Sequence, residues 1–337
     1  MSFKTKLPGI SISIITGLAA LFLSEHYGAP AMLFALLLGI AMSFLYQGPA
    51  CEEGTYQASP CKEGIEFTSS FVLRVGVALL GLRLAFTDLL GLGWETIAIL
   101  AASIGTTIIF GIFLAKKLGL SKSFGSLTGG SVAICGASAA MAITAVLPDH
   151  EHKERDTLLT VIGVTSLSTI AMVLYPILAT YLGLDETQSG LFLGGTIHDV
   201  AQVVGAGYSV SETTGDISTL VKLVRVSMLM PVVLIMLIII KRFNDADSSS
   251  SAKAASVPTF LIAFVVLMII NSCFDIPQSI TDPVISFSRF ALITSIAAIG
   301  MKSNFSKLSC VGFKPIILML VETIWIASFM LIAIYCS

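Results

Sequence analysis

Charged side chains are scarce in this chain. Of 337 residues, 19 are Lys or Arg and 21 are Asp or Glu, 12% in all, against roughly 25% in soluble domains. So few charges cannot wet the surface of a soluble fold of this length. The net charge of −2 leaves no basic excess, so nucleic acid is not an expected partner. No GxxxxGK[ST] segment occurs, which excludes ATP hydrolysis through that phosphate loop. His, Cys and Asp nowhere fall at a spacing that supplies three ligands, so neither a metal nor a cofactor is expected.

Apolar residues dominate instead. They make up 55% of the chain, with a mean hydropathy of +0.93. Disorder, collagen and coiled coil are excluded by the same figures. What remains is an all-α polytopic membrane protein, in which each crossing needs about 20 apolar residues. Between polar breaks, about eleven such runs lie near 9–25, 30–46, 68–90, 94–115, 122–147, 155–183, 186–209, 214–242, 257–273, 283–309 and 313–335. The first follows Lys4 and Lys6 with no small-residue cleavage site behind it, and is expected to stay as a span. The Ser-rich stretch 244–256, NDADSSSSAKAAS, reads as a linker between a bundle over 1–243 and a C-terminal part over 257–337.

Lys and Arg concentrate in cytoplasmic loops. With the N-terminus inside, that side holds Lys116, Lys117, Lys122, Lys241, Arg242, Lys253, Lys307 and Lys314, and Glu25, Glu212, Asp216, Asp275 and Asp282 lie opposite. The loop PDHEHKERD, 148–156, then falls outside despite Lys153 and Arg155. Cys51 and Cys61 flank a polar loop where a disulfide would need an oxidising face. This orientation puts that loop inside, so the two readings oppose each other. Cys135, Cys273, Cys310 and Cys336 lie in or beside apolar runs and read as small hydrophobes.

The chain repeats itself. GLRLAFTDLLGLG at 81–93 and GMKSNFSKLSCVG at 300–312 align at an offset of 219, matching Gly81 with Gly300, Phe86 with Phe305, Leu89 with Leu308 and Gly93 with Gly312. Arg83 and Lys302 fall at equivalent places. The copies sit seven spans apart, an odd number, so they face opposite ways, as inverted repeats of secondary transporters do. A second likeness is local: TGGSVAICGASAAMA at 128–142 and LGGTIHDVAQVVGAG at 193–207. Each glycine weakens a helix by about 1 kcal/mol, so the clusters predict broken or re-entrant helices, tolerated at membrane depth only where protein or a cavity covers them. Close helix packing through small residues is the plainer alternative.

Polar groups in those segments carry the functional expectation. His198, Asp199 and Gln202 lie inside an apolar run, where a charge costs roughly 2.5–3.5 kcal/mol on insertion scales. His beside Asp is expected to carry the coupling ion near neutral pH; a structural pair satisfied by a neighbouring helix is the alternative. Ser131, Ser138 and Thr196 sit beside glycines and, with Gln202, are expected near the substrate. Arg83 and Lys302, with Asn304 following, are expected to flank an anion, unless the two cations merely snorkel to the headgroups. Arg225, three residues after Lys222, reads as the mark of a helix end. Thr160, Thr165, Ser166, Ser168 and Thr169 read as packing, since membrane hydroxyls bond their own i−4 carbonyl. Gly136-Ala137-Ser138-Ala139 loosely resembles a hydrolase elbow, but its second glycine is missing, and no enzyme is expected.

Taken together, VALLGLRLAFTDL, GGSVAICGASAAMAI, GGTIHDVAQVVGAG and AAIGMKSNF resemble the YeiH-type family of bacterial inner-membrane proteins, described as sulfate exporters. The resemblance runs from about 68 to 312. It implies an inverted-repeat transporter of the inner or plasma membrane, akin to bile-acid symporters and sodium/proton antiporters. The expected activity is export of a small inorganic or sulfur-containing anion, with H+ or Na+ as coupling ion. Membrane lipid is a partner, and a homodimer is admitted. The alternative is an anion channel or a non-transporting membrane sensor, neither of which needs a titratable pair at depth.

Overall fold

The computed structural model describes residues 3–27, 30–47, 59–83, 91–148, 152–243, 259–274, 276–303 and 312–336. The described residues of each of the eleven apolar runs lie in a helix or a pair of helices. In chain order they are α1 (Phe3–Tyr27), α2 (Ala31–Ala41), α3 (Phe44–Gln47), α4 (Lys62–Leu82), α5 (Gly93–Lys117), α6 (Lys122–Ala133), α7 (Ala137–Val146), α8 (Lys153–Tyr181), α9 (Glu186–Thr196), α10 (Val200–Val210), α11 (Glu212–Ser227), α12 (Leu229–Phe243), α13 (Thr259–Cys273), α14 (Gln278–Lys302) and α15 (Phe313–Cys336). Among the described residues, seven stretches are long and apolar enough to cross a membrane: α1, α4, α5, α8, α14, α15 and the stretch Glu212–Ile240 formed by α11 and α12. The protein is thus an all-α polytopic membrane protein. Cys51, Asn304 and Cys310, the linker 244–256, and Phe86, Leu89, Phe305 and Leu308 of the repeat lie outside the described residues.

The chain forms two compact units, each built from three stretches rather than from the two sides of 244–256. The first comprises Met1–Gly91, Val204–Asp216 and Pro258–Asn304, the second Leu92–Val203, Ile217–Val257 and Phe305–Ser337.

In the first unit, small residues let backbones touch, the packing that lipid surroundings favour. A Cβ on Gly39 would run into the carbonyl of Ala297, and one on Gly300 would meet that of Leu36 at 2.5 Å, so α2 and α14 cross backbone on backbone. Gly9 and Gly64 do the same for α1 and α4. Helices α4 and α14 run antiparallel. Ile65 packs on Ala298 and Met301, while further along Ser288 donates to the carbonyl of Gly76 at 2.7 Å.

In the second unit α5 and α15 are also antiparallel: Phe110 stacks on Trp325 with centroids 4.4 Å apart, and Ala115 packs with Leu318. The offset of 219 carries α5 onto 312–336, against the observed Phe313–Cys336, and α4 onto 281–301, inside α14. Each pair of copies is antiparallel, as inversion requires. The same geometry separates Arg83 from Lys302. They end α4 and α14 at opposite ends of an antiparallel pair, and 25 residues of α14 span about 37 Å. One small anion cannot touch both, which corrects the expectation that they flank it together.

Candidate functional site

In the second unit both glycine-rich segments break. Ser121 caps the start of α6, its hydroxyl accepting from the N–H of Phe124. The helix runs to Ala133 and stops where Ile134 turns to φ −114°, ψ −81° and Gly136 to φ +63°, ψ −121°. That last conformation belongs to glycine. A capping box of Asp185 and Gln188 starts α9, which ends at Thr196 when Ile197 takes extended backbone. Chain then resumes as α7 and α10. The expectation of interrupted helices here holds.

A helix end leaves its last carbonyls without intrahelical partners, and at membrane depth water cannot supply them. Two fully buried cations do so. Lys222 donates through Nζ to the carbonyls of Ile134 at 2.6 Å and Ile197 at 2.8 Å. Arg225 donates through Nε to Ala133 at 3.1 Å, through Nη1 to Gly194 at 2.9 Å and Ile197 at 3.3 Å, and through Nη2 to Val132 and Ala133. Three residues apart on α11, they share a face and bind both broken ends at once. The two breaks therefore meet, and Gly136 faces the Cβ of His198. Arg225 does lie in the last turn of α11, but buried under two broken helix ends. The available signal was the apolar sequence on both sides of LVKLVRVSMLM, which puts the pair at depth.

The side chains expected to act are now placed. His198 is fully buried, with Nε2 3.1 Å from Thr323 Oγ1. Thr323 Oγ1 also lies 2.8 Å from the carbonyl of Met319, and His198 Nδ1 is buried without a hydrogen-bond partner. Asp199 caps α10, Oδ1 accepting from the N–H of Ala201 at 2.9 Å, while its own N–H donates to Ser168 at 3.1 Å. Gln202 donates to Thr169 at 2.9 Å, and its Oε1 is buried without a partner. Ser168 and Thr169 thus hold the second break as well as packing α8. Ser131 and Thr196, matched positions of the local repeat, each send the hydroxyl hydrogen to an i−4 carbonyl, of Leu127 at 2.5 Å and Phe192 at 2.6 Å. They offer a ligand lone pairs and no donor. Ser138 is exposed on the first turn of α7.

Helix ends carry about half a charge each. Two C-termini and Asp199 set about two negative charges against Lys222 and Arg225, and the N-termini of α7 and α10 add about one positive charge. The crossing is positive by about one charge. Among the described residues no three His, Cys, Asp or Glu side chains converge on a metal position.

In the first unit Arg83 is neutralised within its own surroundings. Nε lies 2.9 Å from Asp216, and Nη1 pairs with Glu212. Arg289 reaches the other oxygen of Glu212 at 3.0 Å, and the Tyr208 hydroxyl donates to Asp216 at 2.5 Å. Arg83, Tyr208, Glu212 and Arg289 edge a cavity of about 100 Å³ lined also by Leu80 and Leu292. Lys302 is exposed.

The family described as Conserved hypothetical protein 698 matches residues 8–319. A UPF0324 membrane protein of Chlorobaculum tepidum is 49% identical over 96% of this chain and 88% of its own length. The UPF0324 membrane protein TauZ of Paracoccus denitrificans is 49% identical over 98% and 96%, and the UPF0324 inner membrane protein YeiH of Escherichia coli K12 is 30% identical over 95% and 91%. Among solved structures, the sodium proton antiporter MjNhaP1 of Methanocaldococcus jannaschii aligns over 99% of this chain and 100% of that one, at 15% identity and a TM-score of 0.28, below the likeness that establishes a shared fold. With its buried broken helices and end-to-end matches, the chain belongs to the UPF0324 family of multi-pass membrane proteins.

Proposed function

We propose that the protein is a secondary active transporter that exports a small inorganic or sulfur-containing anion of the sulfate type, with a coupled ion. The observation that carries this reading is the crossing in the second unit. Two helices broken at depth meet around Lys222 and Arg225 and leave a positive balance of about one charge, which suits an anion. Donors for it are the first-turn N–H groups of α7 and α10, with Ser138 and Gln202 beside them.

His198 and Asp199 are the coupling pair in this reading. The unpartnered Nδ1 of His198 is the atom on which a proton would land. Loading it raises the balance at the crossing from about one charge to about two, facing Lys222, Arg225 and Asp199. Affinity for a divalent anion then follows the proton. Export of such an anion from a negative interior gains about 4.6 kcal/mol at 100 mV, so the proton serves chiefly to return the empty carrier. Counterflow of labelled sulfate in proteoliposomes tests the reading. A carrier exchanges label against trapped unlabelled anion, whereas a channel dissipates it. Uptake no greater than in protein-free vesicles for sulfate, sulfite and thiosulfate would sink the proposal. His198→Gln should keep the fold and flatten the pH dependence of exchange.

A further inference from the structure

Glu322 lies midway along α15 in the apolar run LMLVETIWIA and is fully buried. Thr128 of α6 is 2.8 Å from its Oε1, and Oε2 has no partner. No Lys or Arg among the described residues pairs with it. Every packed neighbour is uncharged at this level. From α5 comes Gly111, where a Cβ would strike Oε1, and Gly125 of α6 closes on the same spot. Towards its ends α15 meets Gly163 of α8 through Met319 and Gly195 of α9 through Met330. The titratable group meeting this stretch is His198, bonded to the adjacent Thr323.

A lone carboxylate in such a place costs several kcal/mol, and one hydroxyl does not offset it. The neutral acid fits. Its O–H donates to Thr128 Oγ1, and Thr128 donates onward to the carbonyl of Phe124, 3.1 Å away. Each hydrogen then has an acceptor. As a carboxylate, Glu322 would draw Thr128 away from Phe124; Oε2 is bare in either form, at lower cost when it is a neutral carbonyl oxygen.

We propose that Glu322 is a proton-binding site, loaded in this conformation, and that its proton is coupled to anion movement. The coupling rests on the transporter reading above; the protonation does not. Consecutive residues of α15 thus touch both broken segments, Glu322 at Thr128 before the first break and Thr323 at His198 in the second.

Two measurements on the full-length chain keep these parts separate. Infrared difference spectra of purified protein at pH 7 should show a buried carboxylic-acid carbonyl band that Glu322→Gln abolishes and Thr128→Val shifts. Absence of the band in wild type, or its survival unshifted in either folded variant, overturns the site. In proteoliposomes, a one-unit pH gradient drives about a tenfold accumulation of labelled sulfate for each proton moved per anion. Glu322→Gln should lower that ratio about tenfold, by the one proton it binds, and retain counterflow. A ratio unchanged in this variant overturns the coupling, while a wild type without counterflow overturns the transporter reading and leaves the infrared result to decide the proton site.

Discussion

Lys222→Met removes one of the two cations that bind the broken helices and leaves the apolar volume filled. The carbonyl of Ile134 loses its charged donor, and that of Ile197 keeps only the 3.3 Å contact from Arg225. Two hydrogen bonds to a charged group are together worth about 3–6 kcal/mol before any offset. Relief of lysine burial returns part of this, and removing one partner from a buried charged cluster costs about 3–5 kcal/mol overall. A loss near 3 kcal/mol follows, roughly 6 °C in melting temperature at about 2 °C per kcal/mol for a chain of this size. Because membrane proteins often unfold irreversibly, wild type and variant are compared in one detergent at one heating rate. Arg225→Met, which breaks five contacts to four carbonyls, should fall further, and Arg225→Lys should lie between. A Lys222→Met protein that melts within about 1 °C of wild type would refute the claim that this cation holds the crossing together.

Other outcomes follow from the same geometry. Gly136→Ala should destabilise by about 1–3 kcal/mol, although a Cβ there has room with His198 Cβ 3.7 Å away; Gly136→Asn should not rescue it, because ψ of −121° lies outside the left-handed helical region. Equal melting temperatures for Gly136→Ala and wild type would show that the break tolerates another backbone path. Thr323→Val removes the hydrogen-bond partner of His198 Nε2 and should cost about 1 kcal/mol while displacing the pH profile of exchange; an unchanged profile would separate His198 from Thr323. Glu212→Gln loosens both Arg83 and Arg289, yet part-exposed pairs are worth at most about 1 kcal/mol each, so its melting temperature should shift little and the difference should shrink in high salt. A large, salt-independent loss would mean that this cluster is structural.

The eleven runs were legible because a membrane span has only one way to satisfy its backbone. The breaks were legible from glycine density, since no other residue sits easily where Gly136 does. His198, Asp199 and Gln202 stood out as polar groups in apolar sequence. Lys222 and Arg225 did not, because an i, i+3 cation pair at a membrane surface and one buried under two helix ends look alike locally. Their acceptors lie up to 93 residues away in the chain. Glu322 carried the same kind of signal as His198, a single ionisable group inside an apolar run, and was passed over because no second polar residue of comparable strength stands beside it. The i−4 habit of membrane hydroxyls also covers Ser131 and Thr196, whose hydrogens go to Leu127 and Phe192 although their glycine neighbours pointed to a ligand.

The distance along the chain between the first break and its cations has a consequence for biogenesis. Ala133 and Ile134 precede Arg225 and Lys222 by 92 and 88 residues, and a ribosome adds about 5–20 residues each second. The first broken segment therefore waits roughly 5–20 s with its carbonyls bare before the side chains that bind them are made. During that interval it must be sheltered by the insertion machinery or by water held in the translocon. Nascent chains arrested before residue 222 should expose the 132–136 segment to protease, and chains arrested well past residue 243 should not.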